Sequence, residues 1–196
     1  MKYWTDLAIL SVTNPQEAAA QIIGLRLPRS ELYVALVAVS ALTALLACVS
    51  AMLGPPVPPE QMAQMPVLAL FERPLALFVL LAGGLVVMVH AIYWTGSAMG
   101  GGGDLGDLIA LFSWLQALRV VAQIGVLVLS FAVPGVAALV ALLVSVLAFW
   151  LTLNFISAAL RINSLLKAFG ILMAVVAGLL VGLMFLITLL GLAGGA

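Results

Sequence analysis

Charge is nearly absent from this chain. Of its 196 residues, 7% are Asp, Glu, Lys or Arg, whereas soluble domains carry about a quarter. Seven basic and seven acidic residues cancel to zero net charge, which excludes the basic stripe that a nucleic-acid partner requires. One cysteine, Cys48, permits no internal disulfide and sits in an apolar run as a small hydrophobe. One histidine, His90, leaves too few donors for a zinc site, and no HExxH pattern exists. Gly100 to Gly103 precedes Asp104 with no lysine followed by Ser or Thr and no preceding strand, so it is no phosphate loop. Ser97 lies in a turn without a nucleophile-elbow pattern, and no base and acid are placed to complete a triad. The chain is expected to be no enzyme and to hold no cofactor or metal.

Apolar residues fill the space that charge leaves, at 66% of the sequence. A soluble surface cannot be built from such a composition. The expected fold is all-α, a polytopic membrane bundle. A span needs about 20 apolar residues, and five segments qualify: 32–53, 75–94, 108–131, 135–155 and 168–192. Gly54-Pro55-Pro56-Val57-Pro58-Pro59 ends the first span, because proline lacks the N–H that continues a helix. The glycine run with Asp104 and Asp107 separates the second and third spans. Pro134-Gly135 makes the third and fourth an antiparallel hairpin. Residues 1–31 then form an N-terminal interfacial segment and 32–196 the membrane domain. Those first residues include Asp6, Glu17, Arg26, Arg29 and Glu31 without a continuous apolar core, so no cleaved signal peptide is expected.

Lys2, Arg26, Arg29, Arg161 and Lys167 fall on one side of these spans and Arg73 on the other. Positive-inside bias puts the N-terminus in the cytoplasm and the C-terminus outside. Ahead of the first span, Tyr3, Trp4, Leu7, Ile9 and Leu10 suit an interfacial helix with Lys2 and Asp6 toward water. Asn14-Pro15-Gln16-Glu17 reads as a second helix start.

The polar exceptions are the candidate sites. Arg119 shares a helical face with Gln116 and Gln123. Counting from Leu108 at about 1.5 Å per residue puts it roughly 17 Å deep, where a charge is expected to face the bundle interior or a wet cavity. Glu72 is the nearest candidate carboxylate. His90 and Asn154 reach comparable depth and are expected to hydrogen-bond across the bundle. Asp104 or Asp107 is expected to cap the third span's helix. Gly170, Ala174, Gly178 and Gly182 recur every four residues, a ridge expected to pack against another helix of the same chain, with a dimer seam as the alternative. Ser40, Ala44, Cys48 and Ala51 form a softer version on the first span.

Two stretches, HAIYWTGSAMGGGGDLGDLIALFSW from His90 to Trp114 and NFISAALRINSLLKAF from Asn154 to Phe169, resemble bacterial members of the Yip family. The N-terminal Asn14-Pro15 and the count of five spans agree. The resemblance implies a five-span protein of a bacterial inner membrane that works through protein or lipid contacts. The N-terminal segment, the glycine-rich loop and the basic loop from Arg161 to Lys167 are its expected working surfaces. Eukaryotic members bind Rab GTPases through a long N-terminal region that this sequence lacks. Membrane lipids are the expected partners, with another membrane protein or a second copy beside them. The alternative is a small transporter or channel that uses the Gln116, Arg119 and Gln123 stripe. Inverted repeats would favour it, but none is visible.

Overall fold

The computed structural model describes residues 2–54, 58, 60 and 65–194. Part of the proline break, Pro55 to Val57 and Pro59, lies outside them. Among the described residues there are seven α-helices and no strand. They are α1 (Lys2–Thr13), α2 (Pro15–Gly24), α3 (Arg29–Leu53), α4 (Pro74–Ala98), α5 (Leu105–Ala132), α6 (Pro134–Ala159) and α7 (Leu165–Gly194), with a 3-10 segment at Pro66–Glu72 ahead of α4. Helices α3 to α7 are each long and apolar enough to cross a membrane.

Local chemistry fixes the helix starts. Proline occupies the first turn of α2, α4 and α6, where its missing N–H has no partner to lose and its φ already suits a helix. At α2 the Asn14 side chain accepts from Glu17 N–H at 3.4 Å and donates to the Glu17 carboxylate at 2.9 Å, a reciprocal cap. Asp104 caps α5 by accepting from Gly106 N–H at 2.9 Å.

The five long helices alternate in direction. The start of α3, the end of α4, the start of α5, the end of α6 and the start of α7 meet at one end, where Arg29 pairs with Asp104 and Arg161 with Asp107. We call this the basic end. Around the ring α3 packs on α4, α4 on α7, α7 on α6, α6 on α5, and α5 back on α3. Helix α2 wedges against α5 and α6, and α1 folds back along it.

The glycine run serves this closure. Gly101 N–H donates to the Gly96 carbonyl at 2.8 Å, and Gly102 N–H to that of Leu160 at 3.0 Å. The turn between α4 and α5 therefore lies against the last residues of α6. Most of the core gathers here, with Ile92, Leu108, Leu111, Phe155, Ile156 and Leu160 fully buried. A smaller cluster of Ala44, Cys48 and Leu77 fixes the far end, packed by Leu70 and Phe71 of the 3-10 segment. Three members of the small-residue run on α3, Ser40, Ala44 and Cys48, are thus buried, while Ala51 is exposed.

The glycine ridge on α7 does the opposite of what its pattern suggested. Ala174, Gly178 and Gly182 are exposed, and no atom lies within 4 Å of a Cβ built at Gly170, Gly178 or Gly182. Helix α7 buries Ala168, Ile171, Leu172 and Val175 instead. Those residues follow the three-and-four spacing of a packed face. The neighbouring small-residue stripe turns away from the chain's own helices.

Candidate functional site

Two of the turns at the basic end carry arginine where a helix usually ends in glycine. Arg26 and Arg161 have φ of 46° and 55°, the left-handed region that a Cβ disfavours by about 1–2 kcal/mol. Each sits just past a helix. Arg161 N–H donates to the Ala158 carbonyl at 3.2 Å and Ile162 N–H to that of Ser157 at 3.0 Å, while Arg26 N–H donates to that of Ile23 at 3.2 Å. These bonds satisfy the last carbonyls of α6 and α2 as a glycine cap would. Non-glycine residues held in this conformation cluster at functional sites.

Both arginines line one cavity of about 470 Å³, walled by Ile22, Arg29, Asp104, Gly106 and Asp107. Arg29 Nη2 lies 3.2 Å from Asp104 Oδ1, and Arg161 Nη2 lies 3.8 Å from Asp107 Oδ2. Three guanidinium groups and two carboxylates from three connections, α2 to α3, α4 to α5 and α6 to α7, thus converge, leaving one positive charge in excess. Arg26 has no carboxylate within ion-pair distance among the described residues. The backbone N–H of Gly106 holds the Asp104 carboxyl below the ordinary carboxylate range, with Arg29 and Arg161 helping and partial desolvation opposing.

Asp104 is therefore both helix cap and ion-pair partner. Asp104→Ala is expected to lower stability by about 1 kcal/mol through the lost cap, and Asp104→Asn by less. Because the folded-state pKa is lowered, this carboxylate's contribution is complete at neutral pH and is lost as pH falls through that value. Thermal unfolding in detergent checks both, and the gap between wild type and Asp104→Asn should shrink in acid.

The sequence pointed to Asp104 and Asp107 at this helix start and to the basic loop from Arg161 to Lys167, but it did not bring Arg26 and Arg29 to the same place. Arginine at the end of two helices, as in Gly24-Leu25-Arg26 and Ala159-Leu160-Arg161, is the signal that marks Arg26 and Arg161.

Arg119 is exposed, as is Gln123, with Gln116 half-buried between solvent and bundle. The polar stripe therefore does not face the interior. Its members diverge. Arg119 Nη1 reaches back to Gln116 Oε1 at 3.5 Å and borders an apolar cleft between α1, α5 and α6. Gln123 borders a separate cleft near the far end with Cys48, Ala51 and Glu72. Glu72 is not the partner of Arg119; both ion pairs among the described residues lie elsewhere. The reason is α1, which covers the outer groove between α5 and α6 and so gives the stripe a protein neighbour outside the ring.

The expected pairing of His90 with Asn154 is also replaced by other partners. His90 Nδ1 lies 2.8 Å from the Val86 carbonyl, and its Nε2 lies 3.3 Å from Tyr33 Oη. The carbonyl can only accept, so Nδ1 carries a proton and donates it there. Asn154 is buried, donates to the Trp150 carbonyl at 2.9 Å and accepts from Gln16 at 3.3 Å. It thereby pins α2 to α6. Ser11 and Trp114 do the same for α1: Trp114 Nε1 donates to Ser11 Oγ at 2.9 Å, and Ser11 is fully buried.

Comparison with known proteins gives one match. The family model described as the Yip1 domain matches residues 9–186. No curated protein and no solved structure matches the chain.

Proposed function

The chain belongs to the Yip1-domain family, and we propose that it acts without catalysis, through lipid and protein contacts in a bacterial inner membrane. The basic end faces the cytoplasm in this reading, because Lys2, Arg26, Arg29, Arg161 and Lys167 gather there and Arg73 lies opposite. The carrying observation is the cavity in which Arg26, Arg29 and Arg161 meet Asp104 and Asp107. Two of its arginines occupy backbone positions that glycine would fill at lower cost. Among the described residues no serine, threonine, cysteine or histidine lines it, so the cavity suits recognition of an acidic group. The rival reading, a transporter or channel built on Arg119, is less supported, because Arg119 and Gln123 open on different clefts.

The test uses the strain itself. Arg26→Gly and Arg161→Gly are expected to leave the thermal midpoint in detergent unchanged or higher, by about 1 kcal/mol for each relieved position. Purified in mild detergent, the double variant should lose proteins or lipids that wild type retains. An identical set of co-purifying molecules would remove the contact reading.

A further inference from the structure

The chain's aromatic residues with polar tips share one end of the bundle. All four tryptophans and all three tyrosines lie in the basic-end halves of their helices or on α1: Tyr3, Trp4, Tyr33, Tyr93, Trp94, Trp114 and Trp150. Such residues settle at the level of lipid headgroups. Tyr3 and Trp4 of α1 are about half exposed, and the Trp4 ring lies 5.7 Å from that of Trp114. Helix α1 is thus held at headgroup level against α5.

Arg119 is five residues beyond Trp114 on α5, about 7.5 Å further along the axis. Helical side chains lean toward the helix N-terminus, and the contact to Gln116 shows this one doing so. Its guanidinium therefore turns back toward the aromatic level. The cleft it borders has a volume of about 470 Å³, within the range of ligand pockets. Ala8 and Ile9 of α1, Leu118 and Ala122 of α5, and Val144 and Leu147 of α6 line it. The arginine is the single charged residue on it among the described residues. A guanidinium has five N–H donors, and here one glutamine oxygen at 3.5 Å answers them among the side-chain bonds that Arg119 makes.

We propose that this cleft binds one anionic glycerophospholipid, with its phosphate on Arg119 and an acyl chain along the groove between α5 and α6. The lipid supplies what each part of the cleft lacks. Phosphate oxygens match the fork of a guanidinium, which cannot shed its charge. The acyl chain covers the apolar side chains that line the cleft. An anionic headgroup is favoured over a zwitterionic one, since among the described residues no carboxylate pairs with Arg119 to receive a headgroup cation. The proposal rests on the lipid-contact part of the function above but on different residues, so the Arg26 and Arg161 variants leave it standing.

The test is native mass spectrometry of the delipidated full chain in detergent. Phosphatidylglycerol and phosphatidylcholine of identical acyl chains are offered together. Wild type is expected to retain one phosphatidylglycerol about ten-fold in preference, as a charge-assisted contact implies. Arg119→Leu should abolish the preference, with its thermal midpoint equal to wild type or higher. Arg119→Lys should keep part of it. Ala122→Phe, which fills the cleft and leaves the charge, should retain neither lipid. Equal retention by wild type and Arg119→Leu would overturn the proposal. So would displacement by millimolar inorganic phosphate, which would mark a free-phosphate site, or recovery of a lipid-free dimer that loses its pairing in Ala122→Phe.

Discussion

Gly103→Ala is expected to destabilise the protein by about 3 kcal/mol or more, and to reduce the yield of folded, monodisperse material in detergent. The turn between α4 and α5 has several glycines, but their positions are unequal. A Cβ at Gly103 would overlap the Ala159 carbonyl and lie 2.8 Å from Leu160 Cα. Those are backbone atoms at the end of a helix, so no rotamer change relieves the contact. Either the turn lifts off α6 or α6 shifts, and both disturb the Gly102 to Leu160 hydrogen bond of 3.0 Å. Overpacking alone costs about 1–3 kcal/mol, and the lost bond adds to it. Gly96 differs, because the nearest atoms its Cβ would meet belong to the Leu160 side chain and not to backbone. Gly102→Ala, with no atom within 4 Å, should be nearly neutral. Thermal unfolding of the pair separates a steric requirement from general flexibility of a glycine-rich turn. Equal midpoints would disprove the steric account.

This use of glycine was hidden in the sequence, where the run stood out only by composition. What it packs against comes from residues nearly sixty positions later. The same reason explains the other readings that the structure changed. Helix starts at Asn14-Pro15, Asp104 and Pro134 were legible because a cap acts within four residues. The five spans were legible because length and hydropathy act within one helix. Which side of a span faces its neighbours was not, because both sides of α7 are apolar and small residues fit either role. Arg119 was legible as an exception but not in its surroundings. Its cleft is closed by α1, roughly a hundred residues earlier, and a polar stripe cannot distinguish a bundle interior from a groove covered on the outside. The charged cavity was half legible. Asp104 and Asp107 announced a helix start, while Arg26 and Arg29 reach the same place from the α2–α3 connection and Arg161 from the α6–α7 connection.

Phe155→Ala is expected to cost about 3–5 kcal/mol, the usual penalty for emptying a large aromatic site. Phe131→Ala should stay within about 0.5 kcal/mol. Both are phenylalanines on adjacent long helices, and composition alone does not separate them. Phe155 is fully buried at the basic end, among the residues of α2, α4, α5 and α7 that form the main core, whereas Phe131 is 65% exposed near the far end of α5. Inside a membrane, lipid tails are as apolar as the side chain, so exposure there is not penalised and stability comes from packing contacts. Removing contacts at Phe155 leaves a void that the surrounding helices cannot close. Removing them at Phe131 exchanges one apolar neighbour for another. Unfolding midpoints of the two variants in one detergent give the comparison, and similar losses would mean that the far halves are packed as tightly as the basic end. A large difference has a functional consequence. Asn154, adjacent to Phe155, ties α2 to α6, and α2 carries the chain into Arg26 and the charged cavity. Phe155→Ala should therefore weaken ligand retention at the Arg26 and Arg161 cavity as well as stability, while Phe131→Ala leaves both in place.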